Sequence, residues 1–222
     1  ADTGVLSISP PQKALYQHHY RTPEARFVSL PPGIRRDRIQ PADHLHRRTT
    51  LRAELGISEV TPMLLFLGSG FRTKGLDRAL QALAGLPGDA RLFVVGEGKA
   101  APYQRQAQRL GLEGRVHFMG GRDDVPSWLW ASDLLVHPAY AENTGTVLLE
   151  AAIAGLPVLT TSACGYADYI RDADPRRVLD EPTPETLVPA ARQLLAVHRA
   201  SWWDKSCLVD TTATPDAPHS AD

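Results

Sequence analysis

The stretch Ala139-Tyr-Ala-Glu-Asn-Thr-Gly-Thr-Val-Leu-Leu-Glu-Ala151 places two carboxylates, Glu142 and Glu150, eight residues apart around a glycine turn that opens an apolar helix. A short hydrophobic strand, Leu134 to His137, ends just before it, and a Gly-Leu-Pro turn from Gly155 to Pro157 leads into the next strand. Strand, loop and helix in that order set the loop at the carboxyl edge of a parallel sheet, where open α/β folds bind ligands. The helix start offers free backbone N–H groups and a partial positive charge, which suit a phosphate. Carboxylates accept hydrogen bonds from hydroxyls, so the two glutamates fit sugar and ribose groups flanking that phosphate.

Outward from this stretch, short apolar runs alternate with amphipathic segments. The pattern predicts strands at Arg26 to Leu30, Met63 to Leu67, Arg91 to Val95, Val116 to Met119, Leu134 to His137, Val158 to Thr160 and Arg177 to Leu179. It predicts helices near Pro11 to Tyr20, His44 to Leu55, Gly75 to Ala84, Pro102 to Leu110, Val125 to Ala131, Thr146 to Ala154 and Pro184 to Val197. Continuous apolar strands such as Met63-Leu-Leu-Phe-Leu67 indicate burial on both faces. The expected fold class is therefore α/β, a doubly wound parallel sheet built from strand–helix units. The expected organisation is a leading segment 1–33, too small for a domain and suggestive of the remnant of a missing one with its linker, then a nucleotide-sugar-binding domain 34–200 and an irregular tail 201–222. About the last fifteen residues are expected to be disordered, since they lack periodicity.

Composition narrows the class. Hydrophobic residues at 43% and charged residues at 22% describe an ordinary globular chain. A net charge of −1 gives no support to nucleic-acid binding. There is no apolar run long enough for a membrane span, and no signal peptide. Cys164 and Cys207 form neither a disulfide framework nor a zinc site, which makes a reducing cytoplasm the default location. The chain starts at Ala1 without Met, so a fragment is expected.

Three further segments carry candidate contacts. Gly68-Ser69-Gly70-Phe-Arg-Thr-Lys74-Gly75 follows one strand and precedes a helix. Its glycines permit close backbone approach, and Lys74 projects a point charge toward the edge that holds the Glu142 loop. A plain strand–helix turn with an exposed lysine explains the same residues. Pro31-Pro-Gly-Ile-Arg-Arg-Asp-Arg38 is a rigid turn with three arginines, of the kind that bind diphosphate oxygens or simply sit in solvent. Gly120-Gly-Arg122-Asp123-Asp-Val125-Pro126 could read a nucleobase edge over Val125, or could be an Asp cap with Pro in the first helical turn. Asp172-Ala-Asp174, before Pro175, is a surface turn rather than a metal motif, and His18, His19, His44 and His46 lie on polar helix faces. His117 reads as a core histidine, while His137 at a strand end has a better chance of lining the cleft.

Glu142-x7-Glu150, Lys74-Gly75 and Pro31-Pro-Gly-Ile34 together resemble the nucleotide-sugar half of retaining GT-B glycosyltransferases of family 4. Leu148 to Thr161, Cys164-Gly-Tyr-Ala-Asp-Tyr-Ile170, Phe93-Val-Val-Gly96, Val116-His-Phe118, Gly121 to Val125 and Leu135-Val-His-Pro-Ala-Tyr140 narrow the likeness to its lipopolysaccharide-core glucosyltransferases. The likeness runs over roughly residues 10 to 198.

This resemblance implies a Rossmann-like carboxyl-terminal domain whose donor is UDP-glucose, with no metal and no cofactor. Glu142 would hold donor-sugar hydroxyls and Glu150 the ribose hydroxyls. Lys74 and Arg38 would neutralise the diphosphate. Gly145, Thr146, Val147 and Leu148 would add N–H donors, and Asn143 and Thr144 would lie beside the sugar. Gly68, Ser69 and Gly70 would approach the phosphates, and Arg122, Asp123 and Val125 the base. Without a well-placed nucleophile, retention implies front-face transfer, with Glu142 as a sugar holder. Thr73 stands where the family often has a basic residue, and Asn143-Thr144 where it has small ones. The implied partners are a nucleotide-sugar donor and, through an acceptor domain outside this chain, the lipopolysaccharide core, with peripheral membrane association of the whole enzyme. The chain alone is expected to bind nucleotide with little transfer. Two alternatives remain: a non-catalytic nucleotide-sugar-binding remnant, and a GT-B sugar-nucleotide epimerase domain.

Overall fold

Strands and helices largely alternate in the computed structural model, which describes residues 4–7, 9–40 and 42–209. The first unit is small: β1 (Val5–Ser7), α1 (Pro10–Tyr20) and β2 (Phe27–Ser29), with the two strands paired in parallel. Then come α2 (Arg36–Ile39), α3 (His44–Glu54), β3 (Met63–Leu67), α4 (Leu76–Ala84), β4 (Arg91–Val95), α5 (Ala101–Arg109), β5 (Val116–Gly120), α6 (Val125–Ala131) and β6 (Leu134–His137). The chain continues through α7 (Thr146–Ile153), β7 (Val158–Thr161), α8 (Ala167–Ala173), β8 (Val178–Leu179) and α9 (Pro184–Val209). Among the described residues, no helix is long and apolar enough to cross a membrane.

Six strands form one sheet in the order β5-β4-β3-β6-β7-β8, and every pairing is parallel. The apolar runs explain why. Alternate residues of a strand face opposite sides, so Leu64, Phe66, Leu92, Val94, Leu134 and Val136 pack under α4 and α9. Met63, Leu65, Leu67, Phe93, Val95 and Leu135 pack on the other side with α6 and α7. All five residues of β3 are buried. The winding reverses between β3 and β6, which opens a crevice above their carboxyl ends.

The amino-terminal edge of the sheet is closed by a buried ionic network that the periodicity does not announce. Arg48 and Arg52 sit one helical turn apart on α3 and are both buried. Asp133, just before β6, accepts from Arg48 Nη2 at 2.9 Å and from the Met63 amide at 2.8 Å. Arg52 Nη1 reaches the other Asp133 oxygen at 3.5 Å and the Ala131 carbonyl at 2.7 Å. Two guanidiniums thus tie α3 to the end of α6 and to the starts of β3 and β6.

Three elements depart from the sequence expectation. β1 spans three residues and α2 four, too short for either period to register, and α8 is a seven-residue helix absent from the expected elements. The leading segment therefore holds two strands, not one. Helix α9 runs to Val209, well into the span 201–222 that was expected to be irregular. The physical reason is in the chain: no Gly or Pro occurs from Ala190 to Val209 to interrupt helical backbone. The disorder expected after that lies outside the described residues.

Replacing Asp133 with Ala leaves two buried guanidiniums without their carboxylate and should cost about 3–5 kcal/mol in urea denaturation. Replacing Glu59, whose side chain is half exposed and meets the same arginines from the rim, should cost less than about 1 kcal/mol.

Candidate functional site

The loops after β3, β6 and β7 meet above the carboxyl ends of their strands, and backbone contacts stitch them together. Gly75 caps α4 with a φ of 74°, and a β-carbon there would lie 2.1 Å from the Pro138 carbonyl oxygen. The Tyr140 amide donates to the Thr73 carbonyl at 2.8 Å. Across the next junction, a β-carbon on Gly165 would lie 1.9 Å from the Asn143 carbonyl oxygen, and Glu142 bridges Cys164 in parallel fashion. Tyr166 N–H donates to the Thr144 carbonyl at 2.8 Å. The first turn of α4 adds side-chain clamps: Arg78 lies 3.5 Å over the Tyr140 ring, and Tyr140 donates to Asp77 at 2.7 Å.

This stitching brings Lys74 and Glu142 into an ion pair, both largely shielded. The Lys74 stem lies across Gly68, where a β-carbon would come within 2.8 Å of Cε. Behind Glu142, the imidazole of His137 is fully buried, with Nε2 3.6 Å from the same carboxylate oxygen that meets Lys74. That distance is an electrostatic contact rather than a hydrogen bond. The Cys164 thiol is also buried and accepts from the Thr160 hydroxyl at 3.2 Å. The His137 imidazole first, against the cost of burial, and then Lys74 hold the Glu142 carboxyl down at about 2. Burial pushes the His137 imidazole down, but Cys164 and Glu142 outweigh it and raise its pKa. Burial raises the Cys164 thiol, and the imidazole reverses that shift to a net lowering.

The other expected residues distribute as follows. Gly145 caps α7 with a φ of 76°. Thr146 and Val147 follow it with amides that have no partner among the described residues. Leu148 does not fit its expected place: its amide donates to the Gly145 carbonyl at 2.9 Å and its side chain is core. Glu150 is partly buried on α7, where its carbonyl accepts from the Ala154 amide at 3.0 Å. Asn143 is exposed and its carbonyl packs against Gly165 of the β7 loop, while the Thr144 carbonyl accepts from the Tyr166 amide.

Gly68, Ser69, Arg122, Asp123 and Val125 line a cavity of about 450 Å³ at the ends of β3, β4 and β5, together with Glu97. Ser69 Oγ accepts from the Glu97 amide at 3.0 Å, and Gly70 sits outside this cavity. Asp124 stands at the cap position of α6 but does not cap it. Its carboxylate takes two hydrogen bonds from Arg122, at 2.9 and 3.0 Å, and one from Trp128.

Arg38 is not brought to this cluster. It is exposed on α2, whose cap residue Gln40 donates to the Ile153 carbonyl at 2.8 Å. That carbonyl is at the carboxyl end of α7, whereas Glu142 precedes its amino end, eight residues and roughly 12 Å of helix away. Arg72 is the other basic residue of the Lys74 loop, and it is exposed. His137 and Cys164 are the residues that sequence reasoning undervalued. The available signal was a histidine ending a wholly apolar strand.

Comparison with known proteins agrees with this architecture. Residues 47–200 match the family model described as glycosyl transferases group 1. The chain is 47% identical over 207 residues to the lipopolysaccharide glucosyltransferase WaaG of Escherichia coli K12, covering 90% of this chain and 55% of that protein. It superposes on a crystal structure of WaaG, a glycosyltransferase involved in lipopolysaccharide biosynthesis, with a TM-score of 0.80 and 41% identity, covering 93% of this chain and 58% of that one. It also superposes on Anabaena HepE in complex with UDP-glucose, with a TM-score of 0.71 and 25% identity, covering 92% of this chain and 55% of that one. The chain spans about half the length of the curated relatives it matches.

Two outcomes are expected. Gly75→Ala should destabilise clearly more than Gly111→Ala in urea denaturation. Both positions have left-handed backbone, costing about 1–2 kcal/mol, but only Gly75 has a carbonyl in the way. The folded state gains from ionised Glu142 fully above pH 4.5 and loses that gain as the pH falls toward about 2. His137 contributes fully below pH 6.5, and its share is lost as the pH rises through its raised value. The stability penalty of Glu142→Gln should therefore be largest between about pH 4.5 and 6.5, measured by thermal denaturation across pH.

Proposed function

The chain belongs to the glycosyl transferases group 1 family, and from that premise we propose that it is the donor-binding half of a retaining hexosyltransferase that uses UDP-glucose and acts on the lipopolysaccharide inner core. The observation that carries this reading is the Lys74–Glu142 pair at the sheet's reversal point, directly before the amino end of α7. A nucleotide diphosphate needs a cation and free amides, and its sugar needs a hydroxyl acceptor. Lys74, the Thr146 and Val147 amides and Glu142 supply these within one loop junction.

In this reading the diphosphate lies between Lys74 and the start of α7, and cationic side chains do the work for which other transferases use a metal. Glu150, one turn into the helix, receives the ribose hydroxyls. The base enters the cavity bounded by Gly68, Ser69, Arg122, Asp123 and Val125. Asn143 and Thr144 flank the sugar. Arg38 has no place in this arrangement, and the second basic residue of the phosphate rim is Arg72.

Breaking the sugar–diphosphate bond builds negative charge on the departing oxygen and positive charge on the ring. Lys74 and the helix amides stabilise the first, and ionised Glu142 faces the second. Removing one preorganised group of this kind costs about 10²–10³ in rate. Front-face transfer, in which the departing phosphate takes the acceptor's proton, needs no covalent nucleophile, and Glu142 serves as sugar holder and electrostatic support. We assign acceptor binding and contact with the cytoplasmic membrane face to the part of such enzymes that this chain does not span. On its own the chain should bind nucleotide and transfer little.

UDP at a hundredfold excess over its Kd should stabilise the chain by about 2.7 kcal/mol, read as a rise in Tm. Lys74→Ala should weaken UDP binding by at least about tenfold in calorimetry. An unchanged Tm at saturating UDP would refute the reading.

A further inference from the structure

His137 is fully buried, yet neither ring nitrogen has a hydrogen-bond partner among the described residues. Leaving a polar side chain in that condition is costly, and folds keep such a residue where it does something else. Its surroundings are specific. Phe66 of β3 stacks along one side at 6.4 Å between centroids, Cys164 from the β7 loop adjoins the ring, and Glu142 lies in front. Lys74 from the β3 loop is the remaining charged group that acts on it.

Glu142 therefore has two cationic neighbours of different character. Lys74 is a flexible, partly exposed side chain that an incoming diphosphate can take over. His137 is fully buried, out of contact with solvent and with anything bound in the crevice. We propose that His137 is the positioning residue for Glu142: when the donor diphosphate draws Lys74 away, the buried imidazolium remains as the carboxylate's partner and keeps it aimed at the sugar hydroxyls. The inference rests on the donor-binding reading given above and extends it to a residue that touches no substrate.

The geometry gives the reason such a partner is needed. Without His137, a carboxylate only 14% exposed would stand next to a diphosphate with its lysine gone. It would turn toward solvent or take up a proton, and either change removes its grip on the sugar. The raised pKa of His137 and the lowered pKa of Glu142 both run in the direction of a charged pair. Cys164, through its contact with the ring, helps hold that protonation state.

The test compares wild-type chain and His137→Gln by calorimetric titration with UDP and, separately, UDP-glucose between pH 5.5 and 8.5. Taking each wild-type-to-variant affinity ratio cancels the ligand's own titration. For UDP-glucose the ratio should be about tenfold at the acid end, the size expected for one charge-assisted hydrogen bond, and should fall toward unity as the imidazole deprotonates. For UDP it should stay near unity throughout. Equal ratios for the two ligands, or a UDP-glucose ratio that does not change with pH, would overturn the proposal, because a purely structural histidine affects both ligands alike. Should His137→Gln fail to fold, Cys164→Ala decides. It should move the pH midpoint of wild-type UDP-glucose affinity to lower pH, and an unmoved midpoint counts against the proposal. Failure of UDP itself to bind the wild-type chain defeats the donor-binding reading and this inference with it, whereas loss of the sugar-specific effect alone defeats only the inference.

Discussion

The carbonyl of Pro138 occupies the space that any side chain at position 75 would need. That close approach fixes the β3 loop against the β6 loop, and the Gly165–Asn143 approach fixes the β7 loop in turn. Everything chemical in the molecule depends on these two backbone junctions. Lys74 is adjacent to Gly75, Glu142 is adjacent to Asn143, and Cys164 is adjacent to Gly165, so each charged or nucleophilic group is held one residue from a glycine seam. A side chain at either glycine would separate the loops before it altered any charge.

Beneath the seams, the sheet supplies rigidity at both ends by different means. The amino-terminal edge is closed by Arg48, Arg52 and Asp133, a network whose partners are satisfied mainly by backbone carbonyls and one buried carboxylate. Such a network is sensitive to the loss of one member, and it keeps α3 and the strand starts in register. The carboxyl edge carries a second buried ionic group, Glu142 with His137, which is less fully satisfied and lies against Lys74. The two clusters differ in position and in degree: the arginine network, which leaves only the Arg52 Nε unbonded among its described nitrogens, closes the fold, while His137, with both ring nitrogens unbonded, lies beside the crevice.

Much of the architecture is legible from the chain. Met63-Leu-Leu-Phe-Leu67 and its counterparts are apolar without interruption because both faces of a parallel strand are covered, and all seven predicted strands end within a residue of where they are observed. The Glu142–Glu150 loop was also readable, since a glycine between an apolar strand and an apolar helix marks a strand–loop–helix junction. Less was legible where elements are short, as in β1 and α2, or where a role depended on reach. Arg38 follows a rigid turn as the family pattern suggests, but α2 anchors at the far end of α7 through Gln40. Leu148 belongs to the expected binding run by position, yet helical geometry turns its side chain into the core.

Local sequence determined the strands, the helices and the glycine loops of this protein, because hydrophobic period and backbone freedom are properties of neighbouring residues. Tertiary structure alone decided which loops meet. Lys74 and Glu142 stand 68 positions apart, and Cys164 lies beyond both, so their convergence follows from strand order and not from spacing. The burial of His137 beside them was settled the same way: its environment is made of residues contributed by three separate loops and strands, and only packing brings those into contact.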